Sequence, residues 1–205
     1  MTGISWLFFD IGSTLLDESA AYAFRFREIA EKAGVSYDEV CDMVLEFYKQ
    51  NMKGDKEVMK LYGVPCPKWR SDYEKLYPDT ERCLKTLHGR YNIGIIANQD
   101  FGTRERLEGH GLLRYIDIIA ASAEEGIAKP DRRLFDIALE RAGCSPYNAV
   151  MIGDRIDNDI IPAKTLGMKT IWVKQGFGRY QNVKDDSERA DVTVNSLTEL
   201  IDILA

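Results

Sequence analysis

Short continuous apolar runs alternate along this chain with stretches whose apolar residues return every three or four positions. "SWLFF" runs into Asp10, "IGIIA" into Asn98, "YIDIIAAS" follows, "NAVMIG" precedes Asp154, and "KTIWVK" and "DVTV" come later. Unbroken apolar runs of this length predict strands buried on both faces. Between them, "DRRLFDIALERAG" predicts a helix with Leu134, Phe135, Ala138, Leu139 and Ala142 on one face and Gly143 as its stop. Strand and helix in alternation predict an α/β fold built on a doubly wound parallel sheet.

One region breaks the alternation. From about Asp17 to Tyr77 the pattern is helical, with no strand. "AYAFRFREIAEKAG" predicts one helix, and "SYDEVCDMVLEFYKQN" a second that opens with Ser36 and Glu39 at capping-box spacing. "KEVMKLYG" predicts a third. "VPCPKWR" is expected to be a loop and "YPDT" the return hinge. The chain therefore divides, on this reading, into a Rossmann-like core of residues 1–16 and 79–205 and a helical cap of residues 17–78. The segment "SLTELIDILA" predicts a last helix closing the flank of the sheet.

At 205 residues the chain is long enough for one sizeable core with a small accessory unit. A net charge of −6 argues against nucleic acid as a partner, because such binding needs a basic face. Nothing is long or apolar enough to span a membrane, and no leader pattern opens the chain, so a cytoplasmic location is expected. Cys41, Cys66, Cys83 and Cys144 lack paired C-x-x-C spacing, so they read as reduced thiols and zinc is not expected. With only two histidines, carboxylates are the expected reactive groups.

Four polar clusters fall at or just after strand ends, where open parallel sheets bind ligands: "DIGST" (10–14), "ANQD" (97–100), "AKPD" (128–131) and "GDRIDND" (153–159). Singly, each has a plain reading: Asp10 as a turn cap, Lys129 as a solvated residue at a helix start, "GDRIDND" as a polar loop. Together, in this order, they resemble the motifs of the haloacid dehalogenase superfamily, in particular its phosphatase branch with a helical cap after the first motif. "DIGST" matches D-x-D-x-T in part, "KPD" matches the lysine motif, and "GDRIDND" matches G-D-x-x-x-x-D.

The resemblance implies that Asp10 is a nucleophile forming an aspartyl-phosphate, with Lys129 neutralising it and the phosphoryl group. It implies Mg2+ held by Asp10, Asp154, Asp159 and the main-chain carbonyl of Gly12, with Asp157 as a rival to Asp159. Asn98 is expected to bind phosphate through its backbone N–H. Thr14 is expected either to donate to the phosphate or to cap the first turn. The partner so implied is a small phosphorylated substrate, handled by a monomer or weak homodimer.

Two departures stand out. Gly12 replaces the carboxylate that, in the family, protonates the leaving oxygen and then activates water, help worth ~10²–10⁴-fold. Ala97 replaces a hydroxyl residue that would hold a phosphate oxygen. The expectation is a Mg2+-dependent phosphatase-like hydrolase of reduced or narrowed activity, unless another carboxylate or a metal-bound water supplies the acid. Alternatives are a phosphonatase-like enzyme using one of Lys49, Lys53, Lys56 or Lys60, a dehalogenase, or a non-catalytic phosphate sensor. Tyr22, Phe26, Tyr48 and Trp69 are candidate cavity liners, with packing inside the cap as the default for each. Asp17 is open between hinge and substrate contact. "KQGFGRY" (174–180) reads by default as a surface turn, with the alternative that its glycines and basic residues line a phosphate path after the last main strand.

Overall fold

The computed structural model describes residues 3–205. In chain order, the core elements up to the first excursion are β1 (Trp6–Phe9) and β2 (Leu16–Asp17). The helices α1 (Ser19–Ala33), α2 (Tyr37–Lys49) and α3 (Gly54–Tyr62) follow, then β3 (Lys75–Leu76) and α4 (Thr80–Leu87). The chain continues through β4 (Asn92–Ala97), α5 (Thr103–Gly109), β5 (Ile118–Ala121), α6 (Ser122–Glu125) and α7 (Arg132–Ala142). It ends with β6 (Ala149–Gly153), α8 (Ile161–Thr165), β7 (Lys169–Val173), β8 (Val192–Val194) and α9 (Leu197–Leu204).

Six strands form one parallel sheet in the order β5-β4-β1-β6-β7-β8. The architecture is Rossmann-like α/β. Successive side chains of a strand face opposite sides, so Leu7 and Phe9 join the layer of α4, α5 and α9, while Phe8 joins that of α7 and α8. From β1 the chain runs outward through β4 and β5, then returns to build β6, β7 and β8 on the other flank. That reversal opens a crevice at the carboxyl ends of β1, β4 and β6, where this class of sheet binds ligands.

Helices α1, α2 and α3 share their own apolar cluster, including Tyr22, Phe26, Ile29, Val44, Tyr48 and Val58. Ser36 accepts the Glu39 N–H at 3.1 Å, as the capping-box spacing predicts. At the far end of the chain, Gly143 ends α7 in the left-handed region. The strandless reading of residues 17–77 needs one correction. Leu16–Asp17 pairs antiparallel with Lys75–Leu76, and Thr80 Oγ1 donates to Leu15 O at 2.7 Å. The "YPDT" segment is thus tied at both ends to the point of departure. Strands of two residues leave no periodicity to read.

No helix among the described residues is long and apolar enough to cross a membrane. All four cysteines are free thiols.

Candidate active site

The crevice is built from residues one step beyond the strands. Asp10 continues the β1 ladder, its N–H donating to Ile152 O at 2.9 Å, so its side chain is delivered by the sheet rather than by a free loop. Asp154 follows β6, and Trp172 Nε1 donates to its carbonyl at 2.7 Å. Lys129 has a fully buried side chain. Its Nζ donates to Asp10 Oδ1 at 2.9 Å, Asp159 Oδ1 at 2.5 Å and Ile96 O at 2.7 Å. An ammonium has three donors, and all three are used.

Asn98 has a different place from the expected one. Its side chain clamps the lysine backbone, Nδ2 donating to Lys129 O at 2.9 Å while Lys129 N donates to Oδ1 at 2.7 Å. It borders the cavity and fixes the register of "KPD" against β4.

Oxygens of Asp10, Asp154 and Asp159 lie within 4.8 Å of one another, and all three residues are buried. They are not equivalent. Asp159 is fully buried, with Oδ1 on Lys129 and Oδ2 accepting the Arg155 N–H at 3.0 Å, whereas Asp10 and Asp154 face the cavity. A π-helical turn over Ile156–Ile160 brings Asp159 back beneath Asp154. Asp157 is drawn away, paired with Arg155 and accepting Gln181 Nε2 at 2.7 Å.

Three carboxylates gather beside one ammonium that contacts only Asp10 and Asp159, and the electrostatics register the deficit. Burial, then the charges of Asp159 and Asp10, push the Asp154 carboxyl well above the ordinary range. Burial carries Asp159 up to about 6 against the pull of Lys129. Burial opposes the charge on Lys129 too, but Asp10 and Asp159 outweigh it and hold its pKa above the usual value. A cluster of hard oxygen donors with surplus negative charge and no nitrogen or sulfur ligand fits Mg2+.

Gly12 lines the cavity, and the space beside it is already taken. A Cβ at residue 12 would fall 2.6 Å from Glu18 Oε1 and 2.8 Å from Oε2. Ser13 Oγ donates to Glu18 Oε2 at 3.0 Å. Sequence reasoning missed Glu18, because a turn makes the contact. Ile11 O accepts N–H groups from Thr14, Leu15 and Leu16, and Ser13 takes φ 55°, folding the chain back so that residue 18 returns to residue 12. Burial lifts the Glu18 carboxyl to about 7. Thr14 does not border the cavity; it is fully buried, and its Oγ1 has no hydrogen-bond partner among the described residues. Asp17 accepts the Ser19 N–H at 2.9 Å, beside the start of α1.

Above these residues lies a cavity of about 450 Å³. Tyr22, Tyr48 and Trp69 line it, while Phe26 packs inside the cap cluster. Of the four lysines considered, Lys53 and Lys56 border the cavity, and Lys49 pairs with Glu46 instead. Arg25 supports the wall through a buried 2.7 Å pair with Asp55 and stacks 4.4 Å over Trp69.

The surface-turn reading of "KQGFGRY" is overturned. Phe177 borders the cavity and packs edge-on against Tyr22 with ring centroids 5.1 Å apart. Gly178 lies directly against Asp154, so closely that a Cβ there would strike the Asp154 carbonyl. The two glycines flanking Phe177 were the available signal, a spacing that permits close backbone approach.

The HAD-hydrolase-like family pattern matches residues 126–200, the stretch holding Lys129, Asp154 and Asp159. A glyceraldehyde 3-phosphate phosphatase of Methanocaldococcus jannaschii is 37% identical over 130 residues, 62% of this chain and 56% of that protein. The matched stretch is thus little more than half of that relative's length. A glyceraldehyde 3-phosphate phosphatase of Pyrococcus furiosus is 27% identical across 100% of this chain and 94% of its own. The crystal structure of a HAD phosphatase from Thermococcus onnurineus superposes with a TM-score of 0.67 at 26% identity, covering 98% of each chain.

Proposed function

We propose that this chain is a haloacid dehalogenase-like hydrolase, a phosphatase acting on a small phosphorylated metabolite through a phosphoryl-Asp10 intermediate. The observation behind this reading is the fully buried Lys129 ammonium held between Asp10 and Asp159, next to Asp154, at the floor of the cavity. Such a cluster is costly to bury for structure alone.

In the first step an Asp10 oxygen attacks phosphorus, forming the Asp10–phosphoryl bond as the bond to the leaving oxygen breaks. Lys129 offsets the repulsion between the carboxylate and the phosphoryl oxygens. Asn98 holds the lysine loop, and Asp159 holds the ammonium. Water then attacks phosphorus, releasing phosphate and restoring the carboxylate. Mg2+ would be held by Asp10 and Asp154, with Asp159 behind them and the Gly12 carbonyl beside them, and when bound it supplies charge that polarises the phosphoryl group.

The helices of residues 17–78 act as the cap of this site. Tyr22, Tyr48 and Trp69 exclude water from it, and Lys53 and Lys56 give its wall positive charge toward an anionic substrate. Residue 12 supplies no proton donor. Activity on poor leaving groups is therefore reduced unless the acid comes from elsewhere in the cavity. The names of the M. jannaschii and P. furiosus relatives make three-carbon sugar phosphates the first natural substrates to try.

The test is phosphate release from acetyl phosphate and para-nitrophenyl phosphate, with Mg2+ and with EDTA, in the wild type and Asp10→Asn. Turnover lost in EDTA and in the variant is the expected result. A folded, Mg2+-binding protein with no turnover above Asp10→Asn would instead favour a non-catalytic phosphate-ligand protein.

A further inference from the structure

We propose that Glu18 is the acid–base residue of this site, taking the part that residue 12 cannot play. The inference rests on the phosphatase reading above and adds to it the identity of the proton donor.

Geometry is the argument. The Glu18 carboxylate fills the volume into which a side chain at residue 12 would grow, 2.6 Å from where its first carbon would sit. It borders the same cavity as Asp10 and Asp154, and touches the turn that follows the nucleophile although it lies eight residues from Asp10 in sequence. Its orientation is fixed, because Ser13 Oγ holds Oε2 at 3.0 Å while Oε1 accepts no hydrogen bond among the described residues. The glycine at residue 12 and the glutamate at residue 18 are therefore one feature. A larger residue at 12 would evict the carboxylate, and the small one admits it.

The chemistry closes in two steps. Protonated Glu18 gives its proton to the leaving oxygen as the phosphorus–oxygen bond breaks and the Asp10–phosphorus bond forms. The resulting Glu18 carboxylate then takes a proton from the attacking water, whose oxygen bonds to phosphorus as the Asp10–phosphorus bond breaks. Phosphate leaves, and Glu18 is protonated again.

The test compares an alkyl phosphate (glyceraldehyde 3-phosphate or glycerol 3-phosphate) with acetyl phosphate, whose leaving group needs no proton. In Glu18→Gln, alkyl phosphate turnover is expected to fall by ~10²–10⁴-fold. Phosphoryl transfer from acetyl phosphate to Asp10 survives, and the phosphoryl enzyme accumulates because its hydrolysis is slowed. Gly12→Asp alone is expected to be poorly active, since its side chain meets Glu18. Gly12→Asp combined with Glu18→Ala is expected to regain alkyl phosphate turnover relative to Glu18→Ala. A Glu18→Gln protein that hydrolyses the alkyl phosphate at the wild-type rate overturns the inference, as does failure of the double variant to exceed Glu18→Ala while still phosphorylating Asp10 from acetyl phosphate. Wild-type protein inactive on both substrates overturns the phosphatase reading and this inference with it, a result distinct from either of those.

Discussion

Lys129 spends all three of its donors inside the protein, on Asp10, Asp159 and the Ile96 carbonyl. Removing it leaves buried carboxylates without their ammonium, a loss of about 3–5 kcal/mol for a broken buried pair. Lys129→Met is therefore expected to lower stability by that order in urea titrations with EDTA, and to abolish turnover. Unchanged stability would mean that the carboxylates do not depend on the lysine. At this scale the sequence was informative for the short motifs in the segments after the strands. Asp10 and Asp154 come directly after β1 and β6, while Lys129 and Asp159 reach the same place through the loop after α6 and the π-helical turn. Glu18 was illegible because a Ser13 φ of 55° and three N–H groups converging on Ile11 O bring it home. Asn98 was legible as a site residue, but its side-chain clamp on Lys129 depends on a loop from a different strand.

Among the elements, the loop after β7 has the largest gap between its expected and its observed part. Its turn residues suggested a surface position, yet Gly178 packs on the Asp154 backbone and Phe177 joins the aromatic wall of the cap. Gly178→Ala would push a methyl group into the Asp154 carbonyl. The expected result is a protein that folds, with turnover at least about tenfold lower and a higher Mg2+ requirement, since small displacements of a catalytic group are costly. Normal Mg2+ dependence in that variant would remove the loop from the account. Helices α1, α2, α3, α7 and α9 were legible to within a few residues from caps and apolar spacing, whereas the shorter α4, α5, α6 and α8 were not read. The pairing of β2 with β3 was not, because its stability comes from contacts across 57 intervening positions (between 17 and 75) rather than from local pattern.

For the molecule as a whole, a parallel α/β sheet with the four polar clusters beyond its strand ends was legible from the alternation of strand and helix, while the strand order came only from the structure. No local pattern marked the contact between the turn after α2 and the loop after β7, where Asn51 Nδ2 donates to Asn182 O at 2.8 Å and Asn182 N donates to Asn51 Oδ1 at 2.9 Å. The charge deficit on the sheet side of the cavity governs stability against pH. Asp154, Asp159 and Glu18 all have folded pKa values raised above their ordinary ones, to about 6 for Asp159 and about 7 for Glu18. The folded protein then holds more protons than the unfolded chain between those values, so metal-free stability falls as pH rises from about 4 through 7. In EDTA, Tm is expected to be lower at pH 8 than at pH 5.5. Mg2+ is expected to reverse the trend, raising Tm by several degrees at pH 8 when present at about 100 times its Kd, and by less at pH 5.5. Asp154→Asn should lose most of that rise. A Mg2+ shift that is equal at the two pH values would contradict the carboxylate cluster as its source.

The phosphatase reading stands on an Asp10 carboxylate oxygen as the nucleophile. Its test is rapid acid quench of the Mg2+-loaded wild type turning over acetyl phosphate, followed by mass spectrometry of its peptides. The expected result is a phosphoryl group on Asp10, absent from Asp10→Asn and from enzyme quenched in EDTA. Steady turnover with no phosphoryl group on that peptide, or with one on another residue, would contradict it.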